Sequence, residues 1–391
     1  MWFCLVSQAF TGAHNPQTLG IILQRSIIIM ALFSIPFGLS WYYGEYILIW
    51  MGQDPQLASM AQVYLYYAIP ALFPTFISTA IRKFVQSLGK MKITMYMVII
   101  IFPLNHLTDY LLLSRWDLGM QGPSLQNTLF HFIVMIVYGL FLYFGTDFKN
   151  KYWPGLTREA FYHWNEFLKL GIPGMLSVST DWAFEVCALL TGVLGETNLA
   201  AQSVVLSVNS FLIMIPTAIS NSLTVRLGHH LGANQPGKAK SCAMISFFVG
   251  FCIVTLNSFI LYAFRYQIAS YFTKNEQIID SVVELFIIVS PCHYVVGLGV
   301  VLSGILNAFG KQYVVAIFNL TSYYMIGLPF GMWLTFSHQS GLIGVWSGVA
   351  MAGLIKCVGE AFVLIYYIDW ENECYLAMKR VADQEVSRTI I

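Results

Sequence analysis

Charge is what this sequence lacks. Its 391 residues include 20 Lys and Arg and 19 Asp and Glu, only 10% of the chain, while 57% of its side chains are hydrophobic. Soluble domains carry about 25% charged and about 45–50% apolar residues. So few charges cannot cover the surface of a water-soluble enzyme of this length. A formal net charge of +1 excludes a nucleic-acid binder, and the apolar content excludes disorder. Ligand spacing among the seven cysteines is missing too, since Cys4, Cys187, Cys242, Cys252, Cys292 and Cys357 fall in or beside apolar stretches as small buried thiols. No metal site, phosphate loop or nucleophile elbow appears, so the chain does not read as an enzyme and calls for no cofactor. His229-His230 stands alone and reads as a solvated turn.

What is present is apolar length. Ile27–Gly44, Pro55–Ile81, Thr197–Val225, Ser241–Phe264, Leu285–Gly310 and Gln312–Ile355 contain no Asp, Glu, Lys or Arg. A helix needs roughly 20 apolar residues to cross the hydrocarbon. The pattern predicts an all-α polytopic membrane protein with full spans starting near 26, 57, 93, 124, 169, 199, 241, 282, 313 and 342. Alternate loops collect sixteen basic residues on one side against three, Arg115, Arg265 and Lys274, on the other. The positive-inside rule makes the rich side, with both visible termini, cytoplasmic.

The sequence also repeats itself. Gly12-Ala13-His14-Asn15-Pro16 returns as Gly232-Ala233-Asn234-Gln235-Pro236, Pro70 as Pro291, Gly89-Lys90 as Gly310-Lys311, and Gly119/Gly122 as Gly341/Gly344, at offsets of 220 to 222. Six spans fill one period, so two pseudo-symmetric six-helix bundles would share one orientation, as in transporters built from parallel repeats. Projecting the second half onto the first leaves the first helix and most of the second without a counterpart. Residues 1–144 then form an N-terminal lobe, 145–168 a cytoplasmic linker with a short amphipathic helix, 169–370 a C-terminal lobe and 371–391 a cytoplasmic tail.

Particular residues carry a resemblance. Ser7-Gln8-Ala9-Phe10, Gly20 through Ser26, Trp182-Ala183-Phe184-Glu185, Ala201-Gln202-Ser203, Val225-Arg226-Leu227-Gly228 and Tyr323-Tyr324 through Pro329 resemble the eukaryotic branch of the multidrug and toxic compound extrusion (MATE) family. The resemblance implies a twelve-helix, two-lobed antiporter that exports organic cations or amphiphiles in exchange for protons or sodium. It would work as a monomer in the plasma or vacuolar membrane, with the bilayer and a small organic cation or amphiphile as its partners. The sequence departs from the family pattern where Thr180 and Val296 stand in place of acids. A lipid-linked saccharide flippase of the same superfamily is the alternative, as is an inactive remnant.

Asp181 and Glu185 share a helix face at four-residue spacing, and in a low-dielectric setting two such carboxylates serve a proton carrier; the alternative is a solvated Asp181 near the helix end with Glu185 in a polar contact. Trp182 and Phe184 beside them offer aromatic faces to a cation. Asn105 and Asp109 repeat the spacing and resemble the family's first-lobe cation site, although Asp109 also stands close to an outer loop. Lys356 and Glu360 read first as a structural ion pair. Gln202, Asn209 and Tyr324 bond either to substrate or between helices.

Overall fold

A computed structural model describes residues 3–50, 54–115, 118–119, 121–144, 148–162, 164–177 and 196–389. Its regular structure there is entirely helical. Nine helical stretches among the described residues are long and apolar enough to cross a membrane: 17–42, 55–87, 91–115, 121–144, 197–232, 236–263, 276–308, 312–337 and 341–366. The chain is thus an all-α polytopic membrane protein. The span expected at 169–193 is described only as α8 (Trp164–Ser177). Its remainder, with Thr180, Asp181, Trp182, Phe184, Glu185 and Cys187, lies outside the described residues.

Backbone conformations repeat at the offset seen in the sequence. Gly89 and Gly310 have φ of 75° and 78°, and Gly119 and Gly341 have φ of 56° and 54°. Each ends or begins a span where the chain must turn through the left-handed region, which an L side chain enters at a cost of roughly 1–2 kcal/mol. Helix caps repeat as well. Asp54 Oδ1 accepts from Gln56 N at 2.8 Å and Leu57 N at 3.3 Å, and Asn275 Oδ1 accepts from Gln277 N at 3.0 Å. Each satisfies donors that a helix start leaves without intrahelical partners.

Two compact units emerge, made of residues 13–164 with 382–391, and of residues 1–12 with 165–381. In the first, α2 (Gln17–Tyr42), α4 (Pro55–Ala68), α5 (Leu72–Ser87), α6 (Met91–Asp109) and α7 (Gln121–Phe144) form the bundle. Gln62 of α4 splints the break between α2 and α3 (Gly44–Trp50). Its amide donates to the carbonyls of Trp41 and Tyr42 and accepts from Glu45 N at 2.7 Å. Hydroxyls of Ser124 and Thr128 on α7 donate to carbonyls of Tyr64 and Tyr67 on α4.

The linker departs from the expected amphipathic helix. Phe148–Tyr152 is a π turn and Arg158–Phe161 a 3-10 turn, separated by Pro154 and by Gly155 at φ 86°. Gln24 of α2 replaces the missing helical bonds, donating to Gly155 O at 2.6 Å and accepting from Thr157 N at 3.2 Å. Arg25 Nη2 donates to Glu159 O at 3.3 Å. Helical structure in α2 accordingly begins at Gln17, well before the uncharged run at Ile27.

In the other unit, α12 (Glu276–Ala308) is the central helix, packed by α9 (Glu196–Gly232), α10 (Pro236–Ala263) and α15 (Gly341–Tyr366). The short α11 (Arg265–Phe272) leads from α10 into it. Two glycines let α10 and α12 approach in reciprocal fashion. Val301 of α12 seats against Gly250, and Val254 of α10 against Gly297, such that a Cβ on either glycine would come within 2.9 Å of a valine methyl. Lipid supplies no hydrophobic drive between helices, so this close van der Waals fit holds them. Residues 1–12, expected within the N-terminal lobe, pack in this unit as α1 (Phe3–Gly12). Gly228 and Gly232, four apart on α9, receive Ser7 and Gln8 of α1, and Gln8 Nε2 donates to Ala308 O at 2.7 Å. His229 and His230 are therefore helical rather than a turn, with the His229 ring 4.7 Å from that of Phe10. The tail is helical from Trp370, and its Cys374, Ala377 and Val381 are buried. Glu373 pairs with Lys311 at 2.5 Å.

Gly250→Ala should lower stability by about 1–3 kcal/mol through overpacking. Val301→Ala, which opens space at the same contact, should also destabilise. The double variant should melt above either single variant in detergent-solubilised thermal unfolding; simple addition of the two losses would refute the reciprocal fit.

Candidate functional site

In the unit of residues 13–164, polar groups meet inside the bundle. Gln126 Nε2 of α7 donates to Asn105 Oδ1 at 2.7 Å, and Asn105 Nδ2 donates to Asp109 Oδ2 at 3.4 Å. The spacing that places Asn105 and Asp109 on one face of α6 thus ends in a chain of three side chains. His106 Nδ1 lies 3.8 Å from the same carboxylate oxygen. Asp109 is 32% exposed. Asn105 also borders a cavity of about 210 Å3 between α5, α6 and α7, with Arg82, His131, Phe102, Phe130 and Tyr138 in its wall.

In the other unit, Gln202 is 1% exposed and accepts from Trp346 Nε1 at 2.8 Å, which joins α9 to α15. Of the two readings for Gln202, this geometry supports the interhelical bond. Tyr324 lies half-buried in a π segment, Leu320–Gly327, between α13 (Gln312–Asn319) and α14 (Leu328–Ser337). Pro329 has no N–H and its ring crowds the carbonyl of Met325, so the hydrogen-bond pattern widens just ahead of it. Lys356 Nζ stands 4.0 Å from Glu360 Oε1, with both side chains buried in α15. Ser303 of α12 donates to both Glu360 oxygens at 2.8 and 3.0 Å. A carboxylate with a cation and a hydroxyl around it, and almost no water, has the form of a structural clamp between α12 and α15.

The acids Asp181 and Glu185 and the aromatics Trp182 and Phe184 fall outside the described residues. Val296, at the position where the family pattern has an acid, packs against Gly353. One turn away on α12, His293 is 1% exposed and shares a 2.9 Å hydrogen bond through Nδ1 with Asn209 of α9. Its Nε2 is buried with no hydrogen-bond partner among the described residues.

Residues 4–111 and 174–333 match the protein family described as MatE. The chain belongs to this family. It is 31% identical over 381 residues to multidrug and toxin extrusion protein 1 of Xenopus tropicalis, covering 97% of this chain and 66% of that protein. It is 34% identical over 386 residues to multidrug and toxin extrusion protein 2 of Mus musculus, covering 97% of this chain and 65% of that protein. The chain therefore spans about two thirds of the length of these relatives. In fold it is similar to the eukaryotic MATE transporter AtDTX14, with a TM-score of 0.89 at 24% identity over 97% of this chain and 86% of that one. A point mutant of the Vibrio cholerae MATE transporter VcmN matches at a TM-score of 0.80 and 15% identity over 95% of this chain and 84% of that one.

Within this MatE chain, Gln126, Ser303 and His293 are polar partners that sequence reading passed over. Gln126 and His293 were detectable as polar residues inside uncharged runs, but their partners lie 21 and 84 residues away. Ser303 carries no signal of its own.

Lys356→Met or Glu360→Gln alone should cost about 3–5 kcal/mol, because each leaves a buried group without its counterpart. The double variant should recover most of that loss in thermal unfolding. Independent, additive losses would show that the pair does not act as a clamp.

Proposed function

We propose that this protein is a secondary active antiporter that exports organic cations or amphiphilic metabolites in exchange for protons. The observation that carries this reading is the Gln126–Asn105–Asp109 chain, a partly exposed carboxylate that accepts from the Asn105 amide, itself fixed by Gln126, within a span. Intramembrane carboxylates are costly and mark ion or proton pathways. A carboxylate that alternately holds a proton and a cation couples their movements, since the two compete for one charge. The relatives named multidrug and toxin extrusion proteins support the substrate class.

Glu185 and Asp181 would carry the same exchange in the second lobe, with Phe184 and Trp182 facing the organic cation. His293 would add a titratable group one turn from Val296. The Lys356–Glu360 pair stays structural in this scheme, Gln202 holds helices together, and Tyr324 lines the path at the widened turn. The excess of basic residues on one set of loops supports cytoplasmic termini.

Proteoliposome uptake of a fluorescent organic cation, driven by an imposed pH gradient, tests this. Asp109→Asn and Glu185→Gln should each slow gradient-driven uptake by about tenfold or more, the effect of losing roughly 1.4 kcal/mol of coupling. Cation binding at equilibrium should persist in at least one of them. If both variants transport as fast as the parent, proton coupling through these carboxylates is wrong. If a sodium gradient drives uptake and a pH gradient does not, the coupling ion is sodium.

A further inference from the structure

The cavity between α5, α6 and α7 has the wrong electrostatics for a cation. Its wall holds one permanent positive charge, Arg82, one imidazole, His131, and no carboxylate among the described residues. No described acid forms an ion pair with Arg82. Asp109 stands one turn beyond Asn105, and Asn105 separates it from the cavity by spending its own amide on Asp109 and Gln126. Lys83, next to Arg82 in sequence, only adds to the positive sign. Phe102 and Phe130 add aromatic rings to the same wall, the first of them 60% exposed.

We infer that this cavity is a binding site for a small amphiphilic anion, its carboxylate, sulfate or phosphate held by Arg82 and His131 and its apolar body by Phe102 and Phe130. A guanidinium with no acid partner offers a planar fork of donors to such an oxyanion. Ser78 and Thr79 on α5 add hydroxyls to the same wall. At about 210 Å3 the cavity suits a two-ring body and not a drug-sized molecule. The inference does not rest on the proposed transport direction or on its coupling. Two sources supply this chemistry: a soluble anionic metabolite, or the phosphate headgroup of a bilayer lipid reaching in from the side.

The test uses the full chain purified in maltoside detergent and four probes with one naphthalene body: naphthaleneacetate, naphthyl phosphate, neutral naphthylethanol and naphthylmethylammonium. Binding by intrinsic fluorescence quenching should rank both anions about tenfold or more tighter than the neutral alcohol, with the ammonium weakest. Arg82→Gln should bring the anions down to the level of the alcohol and leave the alcohol unchanged. Arg82→Lys should bind the anions with an affinity between those of the parent and Arg82→Gln, since it keeps the charge and loses the fork, which shows that the loss follows the charge and not the fold. His131→Asn should weaken the anions by a smaller factor. Added phosphatidylglycerol that displaces naphthyl phosphate near equimolar ratio assigns the site to a lipid headgroup, and failure to displace assigns it to a soluble anion. The inference is overturned if the ammonium binds as tightly as the anions. It is also overturned if Arg82→Gln leaves anion binding unchanged, as for an arginine that merely snorkels to the interface.

Discussion

Water is absent from the hydrocarbon, and the rest of this structure depends on that absence. A polar group within a span finds a protein partner or costs several kcal/mol. Several polar groups of the described spans find such partners. Ser124 and Thr128 bond to carbonyls across a helix pair, Gln202 accepts from Trp346, and Glu360 takes the Ser303 hydroxyl as well as Lys356. All of these but the Lys356–Glu360 pair also fix one helix against another, so satisfying polar groups and packing the bundle are largely one requirement.

Close packing supplies what the hydrophobic effect cannot supply in lipid. Reciprocal seating of Val301 on Gly250 and Val254 on Gly297 brings α10 and α12 together, and Gly228 with Gly232 does the same for α9 and α1. These contacts leave little room for substitution, whereas the cavity between α5, α6 and α7 shows where one bundle is left unfilled. The same logic separates the polar residues by role. Those with complete partners deep in a bundle act as fasteners, and those at a cavity or partly exposed, such as Asp109, Arg82 and His131, remain available for chemistry.

Much of this was legible in the linear chain because the signals are local or periodic. Uncharged runs marked out the spans, and repeated Gly89/Gly310 and Gly119/Gly341 marked turns whose positive φ only glycine adopts freely. The readings that failed were those in which a distant partner decides. An amphipathic helix was expected in the linker, but Gln24 and Arg25, more than a hundred residues earlier, hold that segment in turns. His229-His230 looked like a solvated loop because the stretch is polar, yet α1 covers it and the helix continues. Asn105 and Asp109 were recognisable by spacing, while Gln126 was not, since nothing within α7 announces a bond to α6.

Composition and residue spacing along one chain were enough to establish that the protein lives in lipid, where its apolar stretches run, that it repeats internally and that it resembles the MatE family. Which polar residues are spent and which are free became visible only once the helices were packed. Packing ties Gln202 to Trp346, encloses Glu360 with Ser303, and leaves Arg82 facing a cavity with no acid among its described lining residues. A side chain's chemistry depends on the neighbours that cancel or leave its charge, and those neighbours come from other helices.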